Sequence, residues 1–260
     1  MTRRADVTPV TPDPWQALRE LTAARIAIGR AGASVPTVPH LEFQMAHARA
    51  RDAVHRPLDV DLVERALEQI GLGVLRARSA ARDRAEYLTR PDLGRLLDDE
   101  SRARLVARRT AGVDGVFVVA DGLSAVAVER HAAPVVRAVV ERLRSAGWTL
   151  APLVVAEQGR VAIGDEVGEA LGATVVAVLI GERPGLSAPD SLGIYLTYGP
   201  HRGRTDAERN CISNVRPEGL AHAAAAHKLA WMMVEARRRG LSGIGLREEA
   251  PVDRALGTGG

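Results

Sequence analysis

The feature of this sequence that most constrains its fold is a set of three continuous apolar runs separated by helical segments. The runs are residues 115–122 (GVFVVADG), 149–159 (TLAPLVVAEQG) and 174–185 (TVVAVLIGERPG). Apolar runs without alternation are typical of strands that are buried on both faces of a parallel sheet. Residues 133–147 form an amphipathic helical pattern that ends in glycine, and residues 161–172 form a shorter one. This order predicts an α/β fold with a Rossmann-like, doubly wound parallel sheet.

The rest of the chain adds flanking elements to this sheet. Residues 191–198 (SLGIYLTY) predict a fourth strand, residues 220–239 a long helix, and residues 241–246 (LSGIGL) a last strand, followed by a frayed tail (ALGTGG). The first half is rich in alanine and arginine, which favour helices. Its predicted helices are residues 15–30, 42–55, 59–78 and 93–109. We therefore predict a helical N-terminal region, residues 1–112, and a Rossmann-like domain, residues 113–260.

Composition excludes several classes of protein. The chain has 260 residues, of which 46% are hydrophobic and 26% charged, as in ordinary globular proteins. Net charge is only +3 and aromatic residues are 3%, too few for a nucleic-acid-binding face. No apolar run approaches the ~20 residues of a membrane span, and the start, MTRRADVTPVTPDPW, lacks a secretory signal. We expect a cytoplasmic protein that binds neither nucleic acid nor membrane.

Polar, glycine-rich loops follow each of the three apolar runs: residues 121–124 (DGLS), 157–160 (EQGR) and 181–185 (GERPG). Ligands of open α/β sheets bind outside the carboxyl ends of the strands, so these loops should share one edge. The first loop has a single glycine where a dinucleotide site has G-x-G-x-x-G, and no Walker A sequence occurs. The sequence therefore predicts a ligand site at this edge, without either of these phosphate-binding motifs.

Two residues beside these loops have competing interpretations. Glu182 can hydrogen-bond a ligand, or it can pair with Arg183 in a solvated surface turn. Val161 stands at the start of a helix, where unpaired N–H groups can receive ligand acceptors, and a plain strand–helix turn is the alternative.

Two further clusters were considered as sites. Cys211, the only cysteine, lies in the polar segment RNCISN; it lacks a neighbouring base, and a buried packing role is the alternative. A lone cysteine also fits a reducing compartment. His47, Arg51 and His55 share one helix face, which offers too few ligands for a metal, so we expect a packed or interface face and no metal site.

Taken together, several blocks resemble the small subunit of adenosylcobalamin-dependent ethanolamine ammonia-lyase. They are GRVAIGD, LIGERPGL, SLGIYLTY, TDAERNCISN and LSGIGL, with FQMAHARARDAVH and YLTRPDLGR in the first half. The resemblance covers residues 41–246, and GERPGL and RNCISN are its most specific blocks.

The resemblance implies a role that this chain does not perform alone. In this family a large TIM-barrel subunit hosts the radical conversion of ethanolamine to acetaldehyde and ammonia, and therefore carries the catalytic residues. The small subunit helps to hold adenosylcobalamin between the two chains, with the cofactor's own benzimidazole base on cobalt. The family's cofactor contacts fall on Val161, Glu182 and Cys211. The two subunits are expected in equal numbers in a hetero-oligomer.

Two other functions and a second location are alternatives to a cytoplasmic lyase subunit. A self-sufficient nucleotide-dependent Rossmann enzyme would act without a partner, but the glycine fingerprint is missing. A purely structural interaction protein would not need the GERPG and RNCISN loops. The resemblance also raises packaging in a bacterial microcompartment as the alternative to the cytoplasm, although little sequence precedes Trp15, where family members often carry a longer extension.

Overall fold

A computed structural model describes residues 9–247, and its centre is a single six-stranded sheet. The strand order is β1-β3-β2-β4-β5-β6. The first four strands in this order are parallel, whereas β5 runs antiparallel to β4, and β6 antiparallel to β5. The strands are β1 (Val74–Arg78), β2 (Val113–Ala120), β3 (Leu153–Glu157), β4 (Ala173–Gly181), β5 (Leu192–Tyr198) and β6 (Arg209–Val215).

Helices cover the sheet unequally on its two faces. They are α1 (Thr37–His55), α2 (Val60–Glu68), α3 (Arg84–Thr89), α4 (Asp99–Val106), α5 (Ala125–Ser145), α6 (Ile163–Leu171) and α7 (His222–Arg239). One apolar core joins α2, α5 and α7 to five of the strands, from β2 to β6. A second core lies on the other face and joins α4 and α6 to β1, β2, β3 and β4.

Local sequence explains why the parallel part forms. In β2 and β4 nearly every side chain is buried, because helices pack on both of their faces. The Ser124 hydroxyl accepts a hydrogen bond from the N–H of Ala127 at 3.3 Å and so begins α5. Gly172 ends α6 in a left-handed conformation, with φ of 75°. The predicted α/β class and the strands in all three apolar runs are confirmed.

The predicted parallel sheet is present in β1 to β4, and the strands that follow are antiparallel. Residues 191–198 form the predicted fourth strand, β5, but it is antiparallel to β4. Only residues 182–191 connect the two strands, whereas a parallel crossover needs about a dozen residues or more. The short connection therefore forces the chain to turn back on itself.

Other local predictions were wrong. The helix predicted over residues 59–78 ends at Glu68, and the chain then enters β1. Residues 241–246 form a 3₁₀ turn, Gly243–Gly245, because Asn210 accepts from the Gly243 N–H at 2.7 Å and holds it beside β6. The helix predicted over residues 15–30 shrinks to a 3₁₀ segment, Gln16–Leu21, that buries no side chain. The predicted tail lies outside the described residues, and the boundary at residues 112–113 stays a prediction.

The helices that pack on β5 and β6 lie mainly on one side, and on the other side α6 reaches β6 at Arg209, through Asp165. α7 packs against both strands, and Ile194, Leu196 and Ile212 belong to the core beneath it. On the other side Tyr195 pairs with Cys211 across the strands, and Cys211 and Ser213 are exposed. We call this surface, made of Tyr195, Cys211 and Ser213, the open face.

The N-terminal region exposes an unusual amount of apolar surface. Most of the large hydrophobic side chains that are exposed in the described residues lie in this region: Trp15, Leu18, Leu21, Ile26, Val35, Val38, Leu41, Phe43 and Met45. Within residues 9–247, no helix is both long and apolar enough to cross a membrane.

Candidate functional site

The three loops predicted to share one edge of the sheet do meet there. The N–H of Leu123 donates to the Gly181 carbonyl at 2.9 Å, and the N–H of Gly159 donates to Asp121 Oδ1 at 3.0 Å. Gly122 has a φ of 55°, and a Cβ at this position would overlap the Gly181 carbonyl oxygen. Close backbone contact between the first and third loops therefore depends on glycine.

A shallow cleft opens between these loops and the first residues of β5. Its volume is about 150 Å³, which is smaller than a typical pocket for a whole ligand. The lining residues are Tyr87, Gly122, Leu123, Arg160, Val161, Ile180, Gly181, Glu182, Arg183 and Tyr195. The cleft can therefore admit a peripheral group of a larger ligand rather than the entire molecule.

Asp121 fixes the floor beneath the cleft. It is buried and pairs with Arg84, whose Nη1 lies 3.1 Å from Asp121 Oδ2. Burial raises the pKa of the Asp121 carboxyl to about 6, against the opposing effects of Arg84 and of backbone N–H groups such as that of Gly159. Because this carboxyl is committed to Arg84 and the Gly159 N–H, its role here is to hold the loops together.

Arg160 is held against Tyr87 at one side of the cleft. Its guanidinium carbon lies 4.4 Å from the centroid of the Tyr87 ring, and the Tyr87 hydroxyl donates to the Gly159 carbonyl at 3.0 Å. Burial raises the pKa of the Tyr87 phenol above its usual range. The Arg160 N–H donates to the Gly94 carbonyl at 2.7 Å. A Cβ on Gly94 would lie 2.8 Å from Tyr87 Cε2 and 2.9 Å from Arg160 Cγ.

Val161 lies in the cleft wall just before α6, which begins at Ile163. The N–H groups of Gly159 and Arg160 are both used by the protein. The N–H of Val161, by contrast, has no acceptor within the described residues. The expectation of an unpaired N–H at this turn is therefore confirmed at Val161.

Glu182 joins the ends of three strands. The Ser191 hydroxyl donates to Glu182 Oε2, and the N–H of Asn214 approaches the two carboxylate oxygens at 3.4 and 3.3 Å. Among the described residues, no ion pair joins Glu182 to Arg183, so the interpretation as a solvated ion pair is wrong. Instead Glu182 is half-buried in the cleft, while Arg183 is exposed.

Cys211 lies beyond the cleft on the open face. It is the cross-strand partner of Tyr195, which lines the cleft, and its sulfur lies 3.1 Å from the Ser213 hydroxyl. The interpretation of Cys211 as a buried packing residue is wrong because the side chain is exposed. Burial raises the pKa of the Tyr195 phenol above its usual range. Val161 and Glu182 thus share one cleft, and Cys211 lies next to it.

Several residues were missed or described incompletely by the sequence analysis. Tyr87 and Tyr195 are two of only three tyrosines in the chain, and this scarcity was the available signal. Asp165 lies in the first turn of α6 as a helix-dipole argument would place it, but it is also buried against Arg209, with 2.7 Å between Arg209 Nη1 and Asp165 Oδ1.

The helix face of His47, Arg51 and His55 is exposed on α1 rather than packed within this chain. Within residues 9–247, no cluster of three or more His, Cys, Asp or Glu side chains is arranged to hold a metal ion. The role of the His47, Arg51 and His55 face as an interface stays a prediction.

Comparison with known proteins gives a consistent family. The model of the family described as "Ethanolamine ammonia-lyase light chain" matches residues 12–247. The ethanolamine ammonia-lyase small subunit of Azotobacter vinelandii is 58% identical over 98% of this chain and 96% of its own length. The small subunit of Ralstonia nicotianae is 60% identical over 97% of this chain and 95% of its own length. That of Pseudomonas aeruginosa is 55% identical over 94% of this chain and 91% of its own length.

Proposed function

The chain belongs to the ethanolamine ammonia-lyase light-chain family, and we propose that it forms one wall of an adenosylcobalamin site that the large subunit completes. In this proposal the large subunit converts ethanolamine to acetaldehyde and ammonia, and it carries the catalytic residues. Equal numbers of the two subunits assemble, so that each cofactor lies between one chain of each kind.

The observation that carries this proposal is the continuity of one surface. Val161 and Glu182 line the same cleft, Tyr195 forms its next wall, and Cys211 is the cross-strand partner of Tyr195. The surface therefore runs from the start of α6, across the end of β4, onto the open face. A flat, broad cofactor suits such a surface, because the missing helix layer leaves β5 and β6 accessible on this side.

The groups on this surface fit the edge of a corrin ring. The ring carries amide arms, each of which offers N–H donors and a carbonyl acceptor. The unpaired N–H of Val161 can donate to such a carbonyl, and Glu182 can accept from an amide or ribose group while it is held by Ser191. Cys211 contributes an exposed, polarisable contact. The small volume of the cleft suits one peripheral group of the cofactor, with the ring itself lying outside.

When bound, adenosylcobalamin supplies the radical chemistry, and this chain holds and orients it. The residues that line the cleft include no histidine, so the cleft offers no imidazole to replace a base on cobalt. We also propose, from the family resemblance, that the cofactor binds with its own benzimidazole base on cobalt.

The exposed apolar residues of the N-terminal region are proposed to contact the large subunit. Met45 on α1 and Leu186, which follows the GERPG loop, line the same shallow depression. The apolar surface thus reaches the loop that carries Glu182. Burial of apolar side chains beside the cleft would both drive association and close the cofactor site.

The test uses the complex of this chain with its large subunit. We expect ammonia release from ethanolamine only when both chains and adenosylcobalamin are present. Glu182→Ala should weaken cobalamin binding about 10- to 100-fold, because hydrogen bonds to a charged group are lost. Glu100→Ala is the matched control, since it removes an exposed carboxylate of α4 that lies outside the cleft. Activity of this chain alone, or equal affinity in Glu182→Ala and wild type, would contradict the proposal.

A further inference from the structure

The Arg160 side chain is a cation without an anion. Within the described residues, no carboxylate lies within ion-pair distance of its guanidinium group and no acceptor takes a hydrogen bond from it. Its Nε is buried without a partner. A buried donor that is left unpaired is unfavourable, which makes such an atom a marker for a missing ligand.

The position of Arg160 is fixed before any ligand arrives. Its backbone N–H is bound by the Gly94 carbonyl, its Cγ lies against Gly94, and its guanidinium group stacks on the buried ring of Tyr87. A long side chain that is already ordered loses less conformational entropy when it binds. Arg160 therefore has the rigidity of a recognition residue, and it lines the cleft.

The charge of the cleft favours an anion next to Arg160. Of the lining residues, Glu182 is the only carboxylate, and it is engaged by Ser191 and by the N–H of Asn214. Arg183 adds a second positive charge, and among the described residues it too has no carboxylate partner. Arg84, which also lies beside Tyr87, is neutralised by Asp121. The unbalanced charge of the cleft is therefore positive.

We propose that Arg160 binds a phosphate ester oxygen, namely that of the phosphodiester in the nucleotide loop of cobalamin. This inference rests on the proposed function and adds the group of the cofactor that enters the cleft. A guanidinium group presents a planar fork of N–H donors that matches two oxygens of a phosphate. The cleft is too small for a corrin ring but admits one peripheral anionic group.

The test compares three corrinoids on the complex of both subunits. Cobalamin carries the phosphodiester, cobinamide phosphate carries a phosphate without the base, and cobinamide carries neither. For Arg160→Gln we expect about 10- to 100-fold weaker binding of the first two ligands, and unchanged binding of cobinamide. Arg160→Lys keeps the charge but loses the fork, so its affinity for cobalamin should lie between those of Arg160→Gln and wild type. Arg108→Gln is the matched control, because it removes an exposed arginine outside the cleft.

Two measurements keep the test decisive if Arg160→Gln does not fold. Arg160→Lys keeps the aliphatic stem that lies against Gly94, and its corrinoid affinities give the same comparison. In the wild-type complex, rising salt should weaken binding of cobalamin more than that of cobinamide, because salt screens the charge pair.

The outcomes separate this inference from the proposed function. Equal loss of cobinamide and cobalamin binding in Arg160→Gln, or equal salt dependence of the two ligands, would overturn the phosphate assignment and leave the cobalamin site intact. A wild-type complex that binds no corrinoid at all would overturn the proposed function and the assignment together.

Discussion

The parallel and antiparallel halves of the sheet are built from similar apolar residues but are covered differently. In the parallel half, α2 and α5 lie on one face and α4 and α6 on the other, and almost all of β2 and β4 is buried. In the antiparallel half, α5 and α7 cover one face, and the other face is open except where Asp165 of α6 meets Arg209. The candidate site lies at the line where the second helix layer stops. An α/β sheet can thus leave a surface open to a ligand at the place where a helix is missing.

A buried ion pair joins the two halves at this line. Arg209 on β6 donates to both oxygens of Asp165 on α6, each at 2.7 Å. It also donates to the Thr197 hydroxyl and to the Arg204 carbonyl, each at 3.0 Å. This ion pair holds α6, in the parallel half, against β6 at the edge of the sheet. It leaves the open face uncovered at Cys211 and Ser213.

The largest effect is expected when one partner of this pair is removed. Arg209→Met leaves the Asp165 carboxylate buried and uncompensated, which should lower the free energy of unfolding by about 3–5 kcal/mol. Urea denaturation measures the change. Arg90→Met is the control, because Arg90 forms an ion pair with Asp92 in which both side chains are exposed; its effect should stay below about 1 kcal/mol.

Replacing both partners tests whether the loss of unfolding free energy comes from the uncompensated buried charge. The double variant Arg209→Met with Asp165→Leu should recover most of the loss, because no charge is then left buried. If Arg209→Met alone has no effect, the two halves are held together by apolar packing, and the ion pair is not the link.

A smaller effect is expected when one methyl group is added in the covered half of the sheet and another on the open face. A Cβ on Gly164, in α6, would overlap Val178 Cγ2 in β4. Gly164→Ala should therefore cost about 1–3 kcal/mol of unfolding free energy, despite the helical preference of alanine. Ser213→Thr adds one methyl group on the open face and keeps the hydroxyl that lies beside Cys211, so it should change stability by less than about 0.5 kcal/mol. Thermal unfolding of the two variants tests whether helices pack more tightly on the parallel half of the sheet than on the open face.

The smallest effect is expected when the pH is lowered, because acid protonates a histidine between α5 and α7, the helices that cover the antiparallel half. His131 on α5 is buried, and its Nδ1 lies 3.0 Å from His222 Nε2 on α7. Burial lowers the pKa of His131, as do the charges of His222 and Arg130, while Asp190 opposes them. Below the unfolded pKa of about 6.5 the unfolded chain binds a proton that the folded chain resists. Stability should therefore fall as pH drops through this value.

Removal of the ring tests this assignment. His131→Asn should flatten the slope of unfolding free energy against pH between about pH 7 and 5, whereas His47→Gln, which alters an exposed histidine on α1, should leave it unchanged. An unaltered slope in His131→Asn would assign the acid sensitivity to other groups.

Sequence patterns predicted the covered half of the sheet better than the open half. β2, β3 and β4 are continuous apolar runs because both of their faces are buried. β6 reads RNCISN, a polar segment that favours turns, and it became a strand only because β5 offers a free edge. β1 follows α2 closely and contains Arg76 and Arg78, so its pattern merges with that of the helix. The direction of β5 was also unpredicted, since an apolar run by itself does not encode strand direction.

The site was predictable in part for the same reason. The loops that follow β2, β3 and β4 were placed together by a topological rule that needs only strand order. Tyr87 and Gly94 come from outside the strand–helix repeat, and their contact with Arg160 depends on how the chain before α4 crosses the sheet edge. No local pattern encodes that crossing. The exposure of Cys211 likewise depends on a helix that is absent from the open face.

The hydrogen bond from Asn214 to Glu182 has a consequence for how the protein is made. The cleft draws on segments that stretch from Tyr87 to Asn214, so no shorter stretch of chain contains it. During synthesis from the N-terminus, β6 is the last strand to emerge, and Glu182 gains this backbone donor only then. Contacts between distant segments are slow to form because loop closure must come first. A ligand of this cleft would therefore find its site complete only after the sheet has formed.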